Sequence, residues 1–586
     1  MGRRLPALLA AAVGVLTIAA GSGAAAGNSD GNKLSTIDHV VVIYEENHSF
    51  DNLYGGWERV RGLGDADAAH TTQLGQTGPT TFAPFECLYM DDVNLQAQSA
   101  ANPTAPLTDT CDNTTGGSFP SHFTNAPFRI DDYLGPDDTT CPPNPLQGFA
   151  RPNGWLKGSG APGGCTRDIV HRFYEEQFQL NGGQQNRYAV QSDGGGLVMG
   201  TYDTTALPIY RYLHEGGHPK YAILDNFFQS AFGGSFLNHQ WLIAAASPIC
   251  NAANTCPANA THSVLDRNGS ATASSPPAAQ RPPGMGPLYL SPDTGLVNGP
   301  LTQACGLATT RPGLACGDFG VNTMQPTYQP SGLFGAKLPP QTQPTIGDRM
   351  TGGNVDWAWY SGGWSNANGD YLGPGWTNGP VAGVCADPDS APNPVWPYCP
   401  NKVFQFHHQP FNYYANYAPG TAGRTHLKDE QSFIDLAKAS TETCKLNSVS
   451  FVKPIGLENE HPGYTSESRG SSHLVELLKT IDGSRCQKDT MVVVTYDEFG
   501  GQWDHVAPPG QGGTAGPHDL WGPGTRLPTL IIAPRLRGDF VIDHTQYDTT
   551  SILSTIEHRF GLASLTSRDA AVNDLSTVFR ARAVGD

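Results

Sequence analysis

Two apolar runs in this chain end in oxygen-rich tips. Val40-Val41-Val42-Ile43-Tyr44 is followed by Glu45-Glu46-Asn47, and Val492-Val493-Val494-Thr495-Tyr496 by Asp497-Glu498. In an open parallel sheet the functional crevice lies at the carboxyl ends of the strands. Glu46, Asn47, Asp497 and Glu498 would there form a hard oxygen donor set, suited to calcium, magnesium or manganese. Histidines nearby widen the choice to zinc or iron. The competing reading makes these acids strand terminators or caps of the turns that follow.

A third element is Ala231-Phe232-Gly233-Gly234-Ser235-Phe236-Leu237-Asn238-His239, which follows the Tyr221–Asn226 run and opens a helical pattern. Glycines before a helix N-terminus let the backbone approach an oxyanion, and the free N–H groups favour a phosphate there. Ser235 at that corner is placed to attack the bound group, with a coordinated divalent cation to stabilise its alkoxide. Gly234 and Asn238 are candidates for holding the substrate. The plainer alternative is that Ser235 is an N-cap.

Histidines supply proton carriers and oxyanion donors. His171 follows Asp168 by three residues, His407 and His408 are adjacent in FQFHHQPFNYY, and His461 lies in ENEHPGY. His505 lies in DHV and His544 in VIDHTQYD. Any one of them alone could be a structural residue, and spacing does not rank them. Two other routes to ester or phosphate chemistry are closed: the chain has no GxSxG elbow and no P-loop. It also lacks the Arg-His-Gly motif of histidine phosphatases and the sulfatase signature.

These groups need a scaffold. Unalternating β-branched runs predict buried strands at Asp38 to Tyr44, Tyr221 to Asn226, Ser448 to Pro454, Thr490 to Tyr496 and Thr529 to Ala533. Helical periodicity marks Leu207 to Glu215, Leu237 to Ala246, Glu430 to Ala439, His473 to Thr480 and Thr550 to Phe560. Together they predict an α/β fold, a mostly parallel central sheet with helices on both faces. The strands cluster near both ends of the chain, so about 60–165 and 247–400, rich in Gly, Pro and Asn, read as irregular insertions on one catalytic domain spanning 27–586.

The 586 residues include 69 Gly and 47 Pro, and charged residues make only 15%, against roughly 25% in an average soluble protein. Long loops follow from that, while 38% hydrophobic residues still suffice for a large core. A net charge of −18 without a basic run excludes a nucleic-acid binder working by phosphate neutralisation. An anionic substrate would need a local cation to offset this field.

Residues 1–26 read as a cleaved secretory signal: Arg3 and Arg4, an apolar Leu5 to Ala20, then Ala24-Ala25-Ala26. The arginine pair also permits twin-arginine export, so the expected location is secreted or periplasmic. No later run is long and apolar enough for a stable membrane span. Twelve cysteines without a CxxC pair read as disulfides of an exported protein. Pairing of neighbours, such as Cys250 with Cys256 and Cys305 with Cys316, would staple the insertions.

Glu46-Asn47-His48-Ser49-Phe50-Asp51-Asn52-Leu53-Tyr54-Gly55 resembles the ENRSFDxxxG opening of the bacterial phosphoesterase family, which contains phospholipases C and secreted acid phosphatases. Tyr496-Asp497-Glu498, with Asp504-His505-Val506, is similar to its YDE…DHV block. Gly522-Pro523-Gly524-Thr525-Arg526 and Tyr547-Asp548-Thr549-Thr550-Ser551 resemble its closing motifs. The motifs span about 40–562, and their joint order is more specific than any one of them.

The resemblance implies an alkaline-phosphatase-like core with disulfide-tied loop insertions. The Gly233-Gly234-Ser235 corner is similar to the acid phosphatase branch, where the phospholipase branch has Thr. Carried over, Ser235 is the nucleophile, and Glu46, Asn47, Asp497 and Glu498 hold one metal with it. His171, His461 and one of His407/His408 bind phosphate or act as acid, with Gly234, Asn238 and His505 as substrate-binding candidates. The expected activity is that of an exported, metal-dependent phosphomonoesterase acting on a small phosphate ester through a phosphoserine. A phospholipase C acting on phosphatidylcholine-type lipids is the first alternative. A silent secreted binding protein with a metal staple is the second.

Overall fold

The computed structural model describes residues 31–77, 81–90, 121–132, 140–144, 149–152, 166, 168–192, 195–249, 319–333, 337–513 and 515–584. Eight strands form one sheet: β1 His39–Glu45, β2 Tyr221–Leu224, β3 Trp357–Ser361, β4 Leu427–Asp429, β5 Val449–Lys453, β6 Thr490–Tyr496, β7 Thr529–Ile532 and β8 Phe540–Asp543. Their spatial order is β4-β3-β5-β1-β6-β7-β2-β8. All pairings are parallel except those of β7, which runs antiparallel to both β6 and β2. Helices cover both faces. α2 (Pro208–His214), α4 (Glu430–Lys438) and α5 (Glu467–Asp482) pack as one group, and α3 (Ser235–Ala244) packs with α6 (Thr550–Phe560).

The central strands are apolar without alternation because both faces are covered. Every residue of β5 and β6 is buried, as is β1 from Val40 onward. Register then does the positioning. β1 pairs with β6 from His39↔Thr490 to Glu45↔Tyr496, so Glu46 and Asp497 leave adjacent strands at the same level. On the other side Ile43 pairs with Val452, which sets Lys453 beside Tyr44. The two oxygen-rich tips and one lysine therefore meet at one edge of the sheet.

The stretch 247–400, read as irregular, contributes a core strand. β3 lies inside it, built from Trp357-Ala358-Trp359-Tyr360-Ser361 and buried throughout. Helix α5 starts at Glu467, six residues ahead of the periodic run read from His473, because Ser466 caps it by accepting from Arg469 N. Disulfides join Cys385 to Cys399 and Cys444 to Cys486. The expected pairs Cys250–Cys256 and Cys305–Cys316, and residues 1–26, lie outside the described residues. No helix among the described residues is long and apolar enough to cross a membrane. The two disulfides fit an oxidising, non-cytoplasmic location.

Candidate active site

Ser235 is the first residue of α3, and Gly234, not Ser235, occupies the N-cap position. The N-cap alternative is therefore not the geometry found. Gly233 has φ +94, and a Cβ there would sit 2.6 Å from Phe173 N, so no larger residue fits the turn. Glu176 braces it: one carboxylate oxygen accepts from Gly233 N at 2.6 Å and the other from Thr525 N at 2.7 Å.

The turn aims the serine hydroxyl at the strand tips. Ser235 Oγ lies 3.1 Å from Glu46 Oε2, 3.3 Å from Asn47 Oδ1 and 3.2 Å from Glu498 Oε1. A hydroxyl has one proton, so it donates to one of these acceptors at a time. Asp497 completes the floor: its Oδ1 accepts from Glu498 N at 2.8 Å and Asn47 N at 3.3 Å, while Oδ2 is buried without a partner. A cluster of this kind, two carboxylates and an amide oxygen about one hydroxyl with a further orphaned oxygen beside it, matches the donor chemistry of a hard cation.

Asn47 is held for the task. Its φ of 61 is left-handed, and a Cβ on Gly500 would sit 2.2 Å from Asn47 O. His461 Nδ1 donates to Pro462 O at 2.7 Å, which leaves Nε2 to accept from Asn47 Nδ2 at 3.1 Å. The amide oxygen is thereby turned toward Ser235. His171 works similarly: Nδ1 donates to Ile169 O, and Nε2 faces Glu498 Oε1 at 3.1 Å.

The second oxygen of Glu46 faces one lysine and two imidazoles. Lys453 Nζ approaches Glu46 Oε1 at 2.6 Å, His408 Nε2 at 2.9 Å and His239 Nε2 at 3.9 Å. His239 donates from Nδ1 to Ser235 O, and its ring stacks on His408 with centroids 4.9 Å apart. His407, half-buried, sets its ring 4.6 Å from that of His408. Glu46, His239 and His408 also bring their ligand atoms within 4.8 Å of one another, so buried groups able to hold a metal converge here.

Sequence reasoning missed two of these residues. Lys453 ends an apolar strand whose other members are uncharged, and a cation at that position signals a nearby acid. His239 is four residues after Ser235, one helical turn along the same face, a relation visible only once Ser235 is known to be inside the helix.

Two substrate-binding candidates, Asn238 and His505, have partners within the protein. Asn238 uses its amide internally, accepting from Ala231 N at 3.0 Å and donating to Gly233 O and Gly234 O, so it ties the glycine turn. His505 Nδ1 pairs with Asp51 Oδ2 at 2.6 Å. Asp51, Asp504 and the fully buried Arg526 form one ion network, with Arg526 Nη2 3.0 Å from Asp51 Oδ1 and Nε 3.1 Å from Asp504 Oδ1. These residues of the first, DHV and Gly-Thr-Arg motifs lock three loops together. His544 likewise pairs with Asp225 at 2.8 Å. Gly234 remains in the site: a Cβ there would meet His171 Cδ2 at 2.9 Å.

Charge follows from burial and neighbours. Burial pushes Asp497 well above the usual carboxylate range, reinforced by Glu46, and Glu498 well above it, reinforced by Asp497. Burial also pushes Glu46 upward, but His408 and Lys453 outweigh it and hold its carboxyl well below that range. Burial lowers His408 to about 4 and carries His239 and His407 well below the ordinary imidazole range. Metal uptake is therefore expected to displace protons from Asp497 and Glu498. Titration calorimetry in buffers of differing ionisation heat reads this directly; a binding enthalpy independent of buffer would show both acids already charged.

A family model described as the phosphoesterase family matches residues 37–563. The chain is 34% identical over 170 residues to phospholipase C B of Mycobacterium tuberculosis, covering 25% of this chain and 32% of that protein. It is 32% identical over 143 residues to non-specific phospholipase C1 of Arabidopsis thaliana, covering 21% and 26%. Against the non-hemolytic phospholipase C of Burkholderia pseudomallei the figures are 28% over 179 residues, 26% and 25%. The chain thus spans about a third or less of the length of these relatives. With a family match over most of its length, and strand-tip acids brought onto a serine, the chain belongs to the phosphoesterase family.

Proposed function

We propose that the protein is an exported, metal-dependent phosphoesterase with Ser235 as nucleophile and a phosphatidylcholine-type phosphodiester as substrate. The observation that carries the chemistry is Ser235 Oγ within 3.3 Å of oxygens from Glu46, Asn47 and Glu498, residues from opposite ends of the chain. Glu46 Oε2, Asn47 Oδ1, Asp497 and Glu498 would hold one divalent cation with Ser235. When bound, that ion lowers the cost of the serine alkoxide and offsets phosphate charge. Ser235 Oγ attacks phosphorus, the ester P–O bond breaks, and the leaving alkoxide takes a proton from an imidazole. His408, His461 and His171 are engaged with Glu46, Asn47 and Glu498, which leaves His407 to carry that proton. Water then attacks the phosphoserine, releasing the phosphorylated headgroup and restoring the hydroxyl.

The names of the phospholipase relatives support the lipid phosphodiester over the monoester, reversing the order reached from sequence. The phosphomonoesterase reading keeps one specific support, the serine of the Gly233-Gly234-Ser235 corner. A comparison of kcat/KM for phosphatidylcholine and para-nitrophenyl phosphate decides between them. The lipid is expected to be preferred at least about tenfold; preference for the monoester would restore the phosphatase. Export through residues 1–26, and action of 27–586 as one catalytic domain, belong to the same proposal.

A further inference from the structure

Nine large hydrophobic residues are exposed among the described residues, and six of them fall in one short segment: Tyr371, Leu372, Val381, Val384, Val395 and Tyr398. Leu372 and Val395 are 62% and 66% exposed. The segment is a rigid frame. The rings of Tyr371, Trp376 and Trp396 form a triangle with centroids 5.2–5.5 Å apart. The Cys385–Cys399 disulfide closes it, Trp376 Nε1 donates to Gly379 O at 2.8 Å, and the Tyr371 hydroxyl donates to Pro380 O. Its aliphatic side chains are thus held outward with little further ordering entropy to lose.

The segment also adjoins the site. Cys399 N donates to Asn366 O, the Phe404 ring lies 5.5 Å from that of Phe406, and His407 and His408 follow at once. Gln405 donates to the Tyr464 hydroxyl at 3.2 Å, and Tyr464 stacks on His461 at 3.9 Å.

Between 371 and 398 there is no Lys or Arg. Asp389 is paired with Lys402 at 2.7 Å, and Asp387 accepts from the Thr377 hydroxyl. A face of aliphatic tips backed by Trp and Tyr rings, with no cation and with Asp387 as its one carboxylate outside an ion pair, suits the boundary between headgroups and acyl chains. A net charge of −18 opposes an anionic surface, so a zwitterionic one fits.

We propose that the 371–398 segment is a docking face that seats the enzyme on zwitterionic phospholipid bilayers and presents headgroups to the neighbouring site. This rests on the phospholipase C reading. The test compares wild type with Leu372→Ser/Val381→Ser/Val395→Ser in the full chain, by co-sedimentation with phosphatidylcholine vesicles and with vesicles containing phosphatidylserine. Wild type is expected to bind phosphatidylcholine vesicles, and more weakly those containing phosphatidylserine. The variant is expected to lose vesicle affinity at least about tenfold and vesicle hydrolysis in proportion, with kcat/KM for soluble para-nitrophenyl phosphorylcholine unchanged. That soluble assay also shows the variant folded. Failure of wild type to bind vesicles, or equal binding by the variant, overturns the docking face. So does a variant whose change lies in self-association by sedimentation velocity, which would assign the face to a second copy. If wild type splits neither phosphorylcholine ester yet binds vesicles through this face, the substrate reading fails and the docking face stands.

Discussion

Ser235→Ala is expected to lower kcat by about 10³-fold or more for whichever phosphate ester the protein prefers. The magnitude follows from what is lost: the alanine has no atom to attack phosphorus, and hydrolysis is left to unassisted water in a site shaped for another nucleophile. The serine is 6% exposed, and its hydroxyl touches only acceptors. Removing it relieves crowding among those oxygens and opens no large cavity, so thermal stability should change by less than about 1 kcal/mol. Glu46, Asn47, Asp497 and Glu498 remain, so bound divalent metal should stay within a factor of a few. Stopped-flow kinetics, elemental analysis and calorimetry on one preparation check all three. Retained turnover would remove the nucleophile assignment and leave direct attack by water. Lost turnover together with lost metal would make Ser235 chiefly a ligand.

The strand tips were legible because a strand buried on both faces must be apolar along its length, so the charged residue that ends it stands out. That held for Glu46 and for Asp497-Glu498. β3 escaped because Trp357-Ala358-Trp359-Tyr360-Ser361 has no β-branched residue and lies in Gly- and Asn-rich sequence, where aromatic content alone does not separate a strand from a loop. His505 is ambiguous in the sequence for a different reason. A histidine just past a strand tip looks the same whether it faces the site or an ion network, and the partner that decides, Asp51, is 454 residues away. Lys453 was passed over because lysine is usually solvated, and nothing local announces that this one is fully buried.

Lys453→Met is the stricter test of how the site manages charge. Lys453 Nζ sits 2.6 Å from Glu46 Oε1 and donates to Tyr44 O at 2.8 Å, with no exposure to water. Breaking a buried pair by removing one partner typically costs about 3–5 kcal/mol, because the remaining charge has lost its compensation. A divalent cation supplies positive charge to the same carboxylate. The lysine and the ion are therefore partial substitutes, and removing one should increase dependence on the other. The metal-free variant is expected to lose most of that stability and to recover a large share when divalent metal is added, so that metal raises its Tm more than it raises that of wild type. Glu46→Gln in the same background should cancel much of the loss, giving a coupling energy of about 1–3 kcal/mol in a double-mutant cycle. Equal destabilisation with and without metal, or additivity with Glu46→Gln, would show that Lys453 serves only to anchor the Tyr44 carbonyl. The Glu46 carboxylate would then be oriented by its contact with His408 Nε2, and metal affinity should fall steeply on His408→Gln, not on Lys453→Met.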